Sequence, residues 1–536
     1  MRPAGSRGAR PAAGCSSRGG RLDRDAVRPV ACRGPGLPLG RPGHQGRGRR
    51  PAHGRKRPDD RAAAARPAVP ADRRPARGPR RTRLGRLGIP QSRAASCDIR
   101  DHVAYAATGR CPGRRGAVDA AALGALAAER IDWRFKGFPA RFDGLTVGEL
   151  IAAEPPVAEF GTPLLTLDGP ALTHNLASMA RYCAAHGVDL APHGKTTMAP
   201  QLFARQLDAG AWGITAATIA HVRAYRAFGV ETIVLANQLI DADALGWVAG
   251  ELRRAPRLRL LCFADSLAGV ALMQAALSAA EAPRPLEVVI DLGAPGGRTG
   301  CRTADEAEAV ARAVHAADRL RLVGAGGFEG ALAPDREPRS IERIREYLRS
   351  LRELVIRIDD AGLFDETDEI IATAGGSAYF DDVVEILAGA WEASRPVRTV
   401  LRSGAYITHD DGHYRRLTPM GDGLRAALSI RSRVVSAPEP GLVLLDFGKR
   451  DAPMDLGLPE PHSVQRADGS VEVLAHCTVS ALADQHAFLR YGGDTVFRIG
   501  EIVSCGISHP CTAFDKWQLI PVVEDGHVVD VVRTFF

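Results

Sequence analysis

The chain has 536 residues, with 70 Lys+Arg against 62 Asp+Glu and a net charge of +8. That length allows more than one domain and a large core, while ten scattered cysteines do not make a disulfide framework, so a reducing, cytoplasmic setting is expected. No run reaches 18 apolar residues and the N-terminal segment lacks the apolar core of a secretory signal, so neither a membrane span nor export is expected.

The charge is unevenly divided. Residues 1–120 carry 29 Lys+Arg and 8 Asp+Glu, and the remainder carries 41 and 54, so a basic arm precedes an acidic body. The arm is built of Arg, Pro, Gly and Ala, with no sustained apolar period, and residues 1–125 are expected to be a disordered tail. Clusters such as GRGRR and GRKRP have the composition of a nucleic-acid-binding arm. An extension with no function has the same composition, and no nucleic-acid or membrane partner is expected.

Residues 126–160 read as a lead-in that packs on a β domain further along. From 161 to 405, short apolar runs alternate with amphipathic helical stretches, the pattern of βα units on a parallel sheet. Counted from VDLAP, strands near 189, 213, 233, 260, 288, 322, 370 and 400 number eight, which predicts an α/β fold with a (β/α)8 barrel. Beyond 405 the helical period fades. Runs such as GLVLLDFG and DTVFRIGEIVSCGIS, divided by Gly, Pro and Asp, predict an all-β domain over 406–536.

The chain writes its positive charge in arginine and contains only five lysines. One of them, Lys195 in APHGKTT, falls just past the end of the first barrel strand, on the face where barrel active sites lie. A lysine there serves either as an ion-pair partner or as an amine that condenses with a carbonyl, and burial would favour its neutral form. The loops after strands seven and eight read AGGS (374–377) and RSGAY (402–406), where glycines let backbone amides approach a phosphate. Lysine on strand one and a phosphate cup at strands seven and eight form the layout of a pyridoxal phosphate site. Near the C-terminus, His509 and Cys511 in SHPC are two apart, on one face if extended, and N/S ligation suits Zn²⁺.

The motifs PHGKTTMAP, GAWGITAAT, GRTG, GGSAYF, LRSGAYITHDD, DQHAFL and GISHPCTAFDKW together resemble the fold-type III pyridoxal phosphate enzymes of the D-serine dehydratase and D-threonine aldolase group. The resemblance spans about 130–536 and implies an alanine racemase-like barrel. It implies that Lys195, beside His193, anchors the cofactor and moves the Cα proton. Gly375, Gly376 and Ser377 would hold the phosphate with Tyr406 nearby, and Arg298 would lie near the ring. His509 and Cys511 would hold a divalent metal, expected to be zinc. His486 is a further catalytic candidate, beside metal or substrate. Where many relatives have GYEGH, this chain has GFEGA (327–331), so Phe328 lacks the phenol. The His-x-Cys pair favours a dehydratase that turns a β-hydroxy-D-amino acid such as D-serine into a 2-oxo acid and ammonia. A metal-dependent D-threonine aldolase and a non-catalytic cofactor carrier are the alternatives. A homodimer is expected from the same resemblance.

Overall fold

The computed structural model describes residues 118–536, Asp494 excepted. Most of the expected tail, with its arginine clusters, lies outside the described residues. Its C-terminal boundary moves: Ala120–Leu126 form a helix whose N-terminus is capped by the Asp119 carboxylate, which accepts from the amides of Ala121 and Ala122.

Eight parallel strands make the barrel among the described residues. They are β2 (Asp189–Leu190), β3 (Ile214–Ala216), β4 (Thr232–Gln238), β5 (Arg259–Ala264), β6 (Leu286–Leu292), β7 (Leu320–Gly327), β8 (Ile370–Ala374) and β9 (Val397–Leu401), in the order β2-β9-β8-β7-β6-β5-β4-β3. A bridge between His193 and Thr215 joins the ends of this sheet, supported by bonds from Trp212 N to Leu190 O and from Thr215 N to Pro192 O. Side chains alternate as the pleat demands. On β5, Leu261 and Phe263 point into the barrel with Val234, Val289 and Ile371, whereas Leu260, Cys262 and Ala264 face the surrounding helices.

The N-terminal mouth is closed by charge. Arg259 pairs with Glu287 at 2.8 Å and Glu369 at 2.6 Å, Arg398 pairs with Glu369 at 2.8 Å and with Asp189, and both guanidinium groups stand over Trp212. These residues sit at or next to the first positions of their strands, so the opposite end is left open for chemistry.

The second sheet is mainly antiparallel and holds β10 (Leu428–Glu439), β11 (Leu442–Leu445), β12 (Glu460–Gln465), β13 (Val471–Val473), β14 (Cys477–Leu482), β15 (Ala487–Tyr491), β16 (Ile502–Gly506), β17 (Leu519–Glu524) and β18 (His527–Arg533). The strand β1 (Leu164–Asp168) belongs to it, and not to the barrel as a boundary at 161 implied. β1 pairs antiparallel with β10 and parallel with β17. Its four buried positions, Leu164, Leu165, Thr166 and Leu167, are wanted on this sheet, while the helix Gly169–His186 that follows turns back to the barrel. The lead-in residues Ile131, Phe135, Phe138, Phe142 and Phe160 pack with Leu519, Val528 and Val531. No helix among the described residues is long and apolar enough to cross a membrane.

Candidate functional site

The chain after β2 runs extended through His193 and then makes a short 3-10 turn, Gly194–Thr196, that aims Lys195 into the barrel mouth. Glycine is required at 194: a Cβ there would stand 2.5 Å from the Tyr225 hydroxyl and 2.8 Å from Ile214. The cavity above the barrel has a volume of about 280 Å³ and is lined from all eight strands and the loops that follow them. His193, Lys195, Arg298, Gly376, Ser377 and Cys511, all singled out in the sequence, meet on its wall, together with Asn237, Asp291, Phe328, Arg402 and Tyr414.

The electrostatics of this wall follow from burial. Desolvation lowers the pKa of Lys195, the Arg298 and Arg402 charges lower it further, and Cys511 works in the opposite direction. The outcome is an amine more easily neutral than a surface lysine, as a nucleophile or base must be. His193 is pushed well below its ordinary value by burial and by the charges of Lys195, Arg402 and Arg298, and its Nδ1 has no partner. Arg402 is fully buried. It donates to Thr373 Oγ1 at 2.7 Å and to the Gly327 carbonyl at 2.5 Å, while its Nε stays unpartnered. Arg298, exposed at the rim, lies over the Phe328 ring at 4.4 Å.

The glycine cup differs from expectation. The amides of Gly375 and Gly376 are already engaged: they donate to Glu329 Oε2 at 3.0 Å and Oε1 at 2.5 Å. A carboxylate thus occupies the donors assigned to phosphate, and the group that remains facing the cavity from this loop is Ser377. Tyr406 is also displaced. Its ring is buried away from the cavity, and its hydroxyl accepts from Gln206 at 3.3 Å.

His509 and Cys511 lie on the loop after β16. Asp455 stands 2.7 Å from His509 Nδ1 and accepts from Thr512 at 2.8 Å, the carboxylate–imidazole arrangement that fixes the ring of a metal ligand. Burial opposes the charged imidazolium, but Cys511 and Asp455 outweigh it and raise His509 to about 9. Cys511 Sγ lies 3.4 Å from Thr196 Oγ1, one residue from Lys195. No group of three or more His, Cys, Asp or Glu side chains suited to a metal is found among the described residues. His509 and Cys511 supply one imidazole nitrogen and one thiol, donor types that suit Zn²⁺. His486 is not brought here. It is exposed at the turn between strands Cys477–Leu482 and Ala487–Tyr491, where its carbonyl accepts from Ala483.

Glu329, Arg402, Asp291 and Tyr414 are the wall and support residues that sequence reasoning missed. The available signal was a charge at the end of a buried apolar strand, in GGFEG after β7 and LRSG after β9, but each looks like any loop charge until the strands close around it.

Residues 167–391 match the model of the alanine racemase N-terminal domain, and 427–523 match that of a putative serine dehydratase domain. The chain belongs to the fold-type III pyridoxal phosphate group. This fold-type III chain is 26% identical over 391 residues to D-threonine aldolase from an Arthrobacter species, covering 71% of this chain and 95% of the relative. It is 25% identical over 331 residues to 3-hydroxy-D-aspartate aldolase from Paracoccus denitrificans, covering 59% and 80%. Its fold matches D-threo-3-hydroxyaspartate dehydratase from Delftia sp. HT23 with a TM-score of 0.57 at 21% identity, covering 71% and 99%. The fold-type III cofactor fits the cavity: an amine with lowered pKa, unpartnered buried nitrogens on His193 and Arg402, and a rim arginine are the groups that a phosphorylated pyridine aldehyde would satisfy.

Proposed function

We propose that this chain is a pyridoxal phosphate-dependent lyase that removes water from a β-hydroxy-D-amino acid of the D-serine class, yielding a 2-oxo acid and ammonia. The observation that carries the reading is the contact between Thr196 and Cys511. It sets the lysine turn and Cys511 on one cavity wall, so a base and one candidate metal ligand face the same small volume.

Bound pyridoxal phosphate supplies an electron sink for charge that develops at Cα. Lys195 would hold it covalently and, once released by the substrate amine, take the Cα proton, a role its lowered pKa supports. Arg402 and His193 line the cavity and each keeps a buried nitrogen without a partner, and Arg298 and Ser377 add polar groups to its wall. His509 and Cys511 suit Zn²⁺, which would supply a Lewis acid for a departing β-hydroxyl. Asp455 holds the His509 ring in place. By its resemblance the enzyme works as a homodimer.

A second reading, cleavage of Cα–Cβ to glycine and an aldehyde, is supported by the aldolase names of the two sequence relatives. In that reaction Lys195 or a neighbour takes the β-hydroxyl proton instead. Product analysis separates the two. The purified protein, reconstituted with pyridoxal phosphate and Zn²⁺, is expected to release pyruvate and ammonia from D-serine, to stop in the presence of a chelator, and to be inactive as Lys195→Ala. Glycine and acetaldehyde from D-threonine, without 2-oxo acid, would assign the aldolase. Cofactor binding without turnover of either would leave a carrier.

A further inference from the structure

The turn Gly375–Gly376 is fastened on both sides. Its two amides donate to the Glu329 carboxylate, and its two carbonyls accept from the Ser403 hydroxyl at 3.2 and 3.1 Å. Glu329 comes from the end of β7 and Ser403 from the end of β9, so two flanking strands clamp the loop that follows β8. Glu329 is wholly shut off from solvent. A buried carboxylate is tolerated only where hydrogen bonds replace its hydration, and here both oxygens are used on backbone amides of one turn. Gly375 has φ +100°, open to glycine and strained for other residues, and a Cβ on Gly376 would stand 2.9 Å from the Phe328 ring. The backbone at this turn is therefore held in one shape, with its own polar groups spoken for.

What the clamp leaves available is one residue further on. Ser377 lines the cavity, and its hydroxyl accepts from the Ala405 amide at 3.2 Å, which ties the β8 loop to the β9 loop. An anion in the cavity meets Ser377 and the neighbouring Gly404–Ala405 segment, and the amides of the two glycines are turned away from it toward Glu329.

Resting on the cofactor reading above, we propose that Glu329 is the positioning residue of the phosphate cradle. It takes the glycine amides out of anion binding and fixes the turn so that Ser377 presents the cradle's polar edge. Glu329 touches neither cofactor nor substrate. Its effect on binding passes through Ser377, and the two residues should therefore be energetically coupled.

The test is a double-mutant cycle read by pyridoxal phosphate affinity, with apo wild type, Glu329→Gln, Ser377→Ala and the double variant each titrated with cofactor and followed by its absorbance. Glutamine keeps the size of the side chain but offers one acceptor oxygen in place of two. Each single variant is expected to bind the cofactor about tenfold more weakly, the scale of one lost charge-assisted hydrogen bond. The double variant should be no weaker than Glu329→Gln alone. Unchanged or tighter binding in Glu329→Gln would overturn the proposal, as would losses that multiply in the double variant, which mark two independent effects. If Glu329→Gln does not fold, Ser403→Ala frees the carbonyl side of the same turn without disturbing a buried charge. It should also weaken the cofactor several-fold, and wild-type affinity there would overturn the clamp. A wild-type protein that binds no pyridoxal phosphate would overturn both this proposal and the function it rests on.

Discussion

Lys195 shows how much of a residue's chemistry comes from its surroundings. The same amine on a surface would be fully charged at neutral pH; here burial, helped by Arg298 and Arg402, disfavours that charge. A group whose folded pKa lies below its unfolded value costs stability while both states are protonated, and the cost fades as pH rises from the folded pKa toward the ordinary 10.5. Apo Lys195→Met should therefore be more stable than apo wild type at pH 7. The gap should narrow as pH approaches 10, in urea unfolding curves taken at both pH values. A gap that widens with pH would mean that Lys195 is charged and paired instead. Arg402 presents the complementary case. Its Nε is buried without a partner, a state that is costly unless a ligand completes it. Arg402→Met is expected to lower pyridoxal phosphate affinity by tenfold or more, a loss on the order of 1.4 kcal/mol, measured by titration of the apo protein.

At the scale of elements, the lysine turn and the barrel floor make opposite demands. The turn needs the absence of a side chain at 194, so Gly194→Ala should force the turn away from Tyr225 and Ile214. It should cost roughly 1–3 kcal/mol, as overpacked cores do, and displace Lys195, with cofactor loss as the readout. The floor needs charge. Burial raises the pKa of Glu369, but its hydrogen bonds and ion pairs with Arg259 and Arg398 more than offset this and hold it below 4.5. The stability it contributes is present above its unfolded pKa and is lost as pH falls through the folded one. Glu369→Gln should thus lower stability by roughly 1–3 kcal/mol at neutral pH, between the values for exposed and buried pairs. The difference from wild type should fade in acid, as thermal melts at pH 7 and pH 3 would reveal. The strand β1 teaches a related lesson: LLTL reads as another βα strand, and its pairing with β10 and β17 depends on residues more than 250 positions away.

For the whole molecule, the described residues hold both the barrel and the β sheet, and the cavity wall draws on both: Lys195 comes from one and Cys511 from the other. A protein beginning at Val118 should therefore fold and keep whatever lyase activity the full chain shows in the assays proposed above; loss of activity on removing 1–117 would give the arginine-rich segment a role. Sequence by itself determined the order of elements, because eight apolar runs buried on both sides leave a periodic trace that needs no knowledge of contacts. It also singled out Lys195, since a rare lysine at a strand end contrasts with an arginine-rich chain, and the fold-type III group followed from motifs taken together. Tertiary structure alone decided which of the named residues meet. His486 and Tyr406 sit in persuasive motifs, yet one is exposed and the other faces Gln206. Glu329 claims the glycine amides that a linear motif assigns to phosphate. The physical reason is that a hydrogen bond or an ion pair is settled by competition among groups brought together across strands, and that competition leaves no mark on the spacing of residues along the chain.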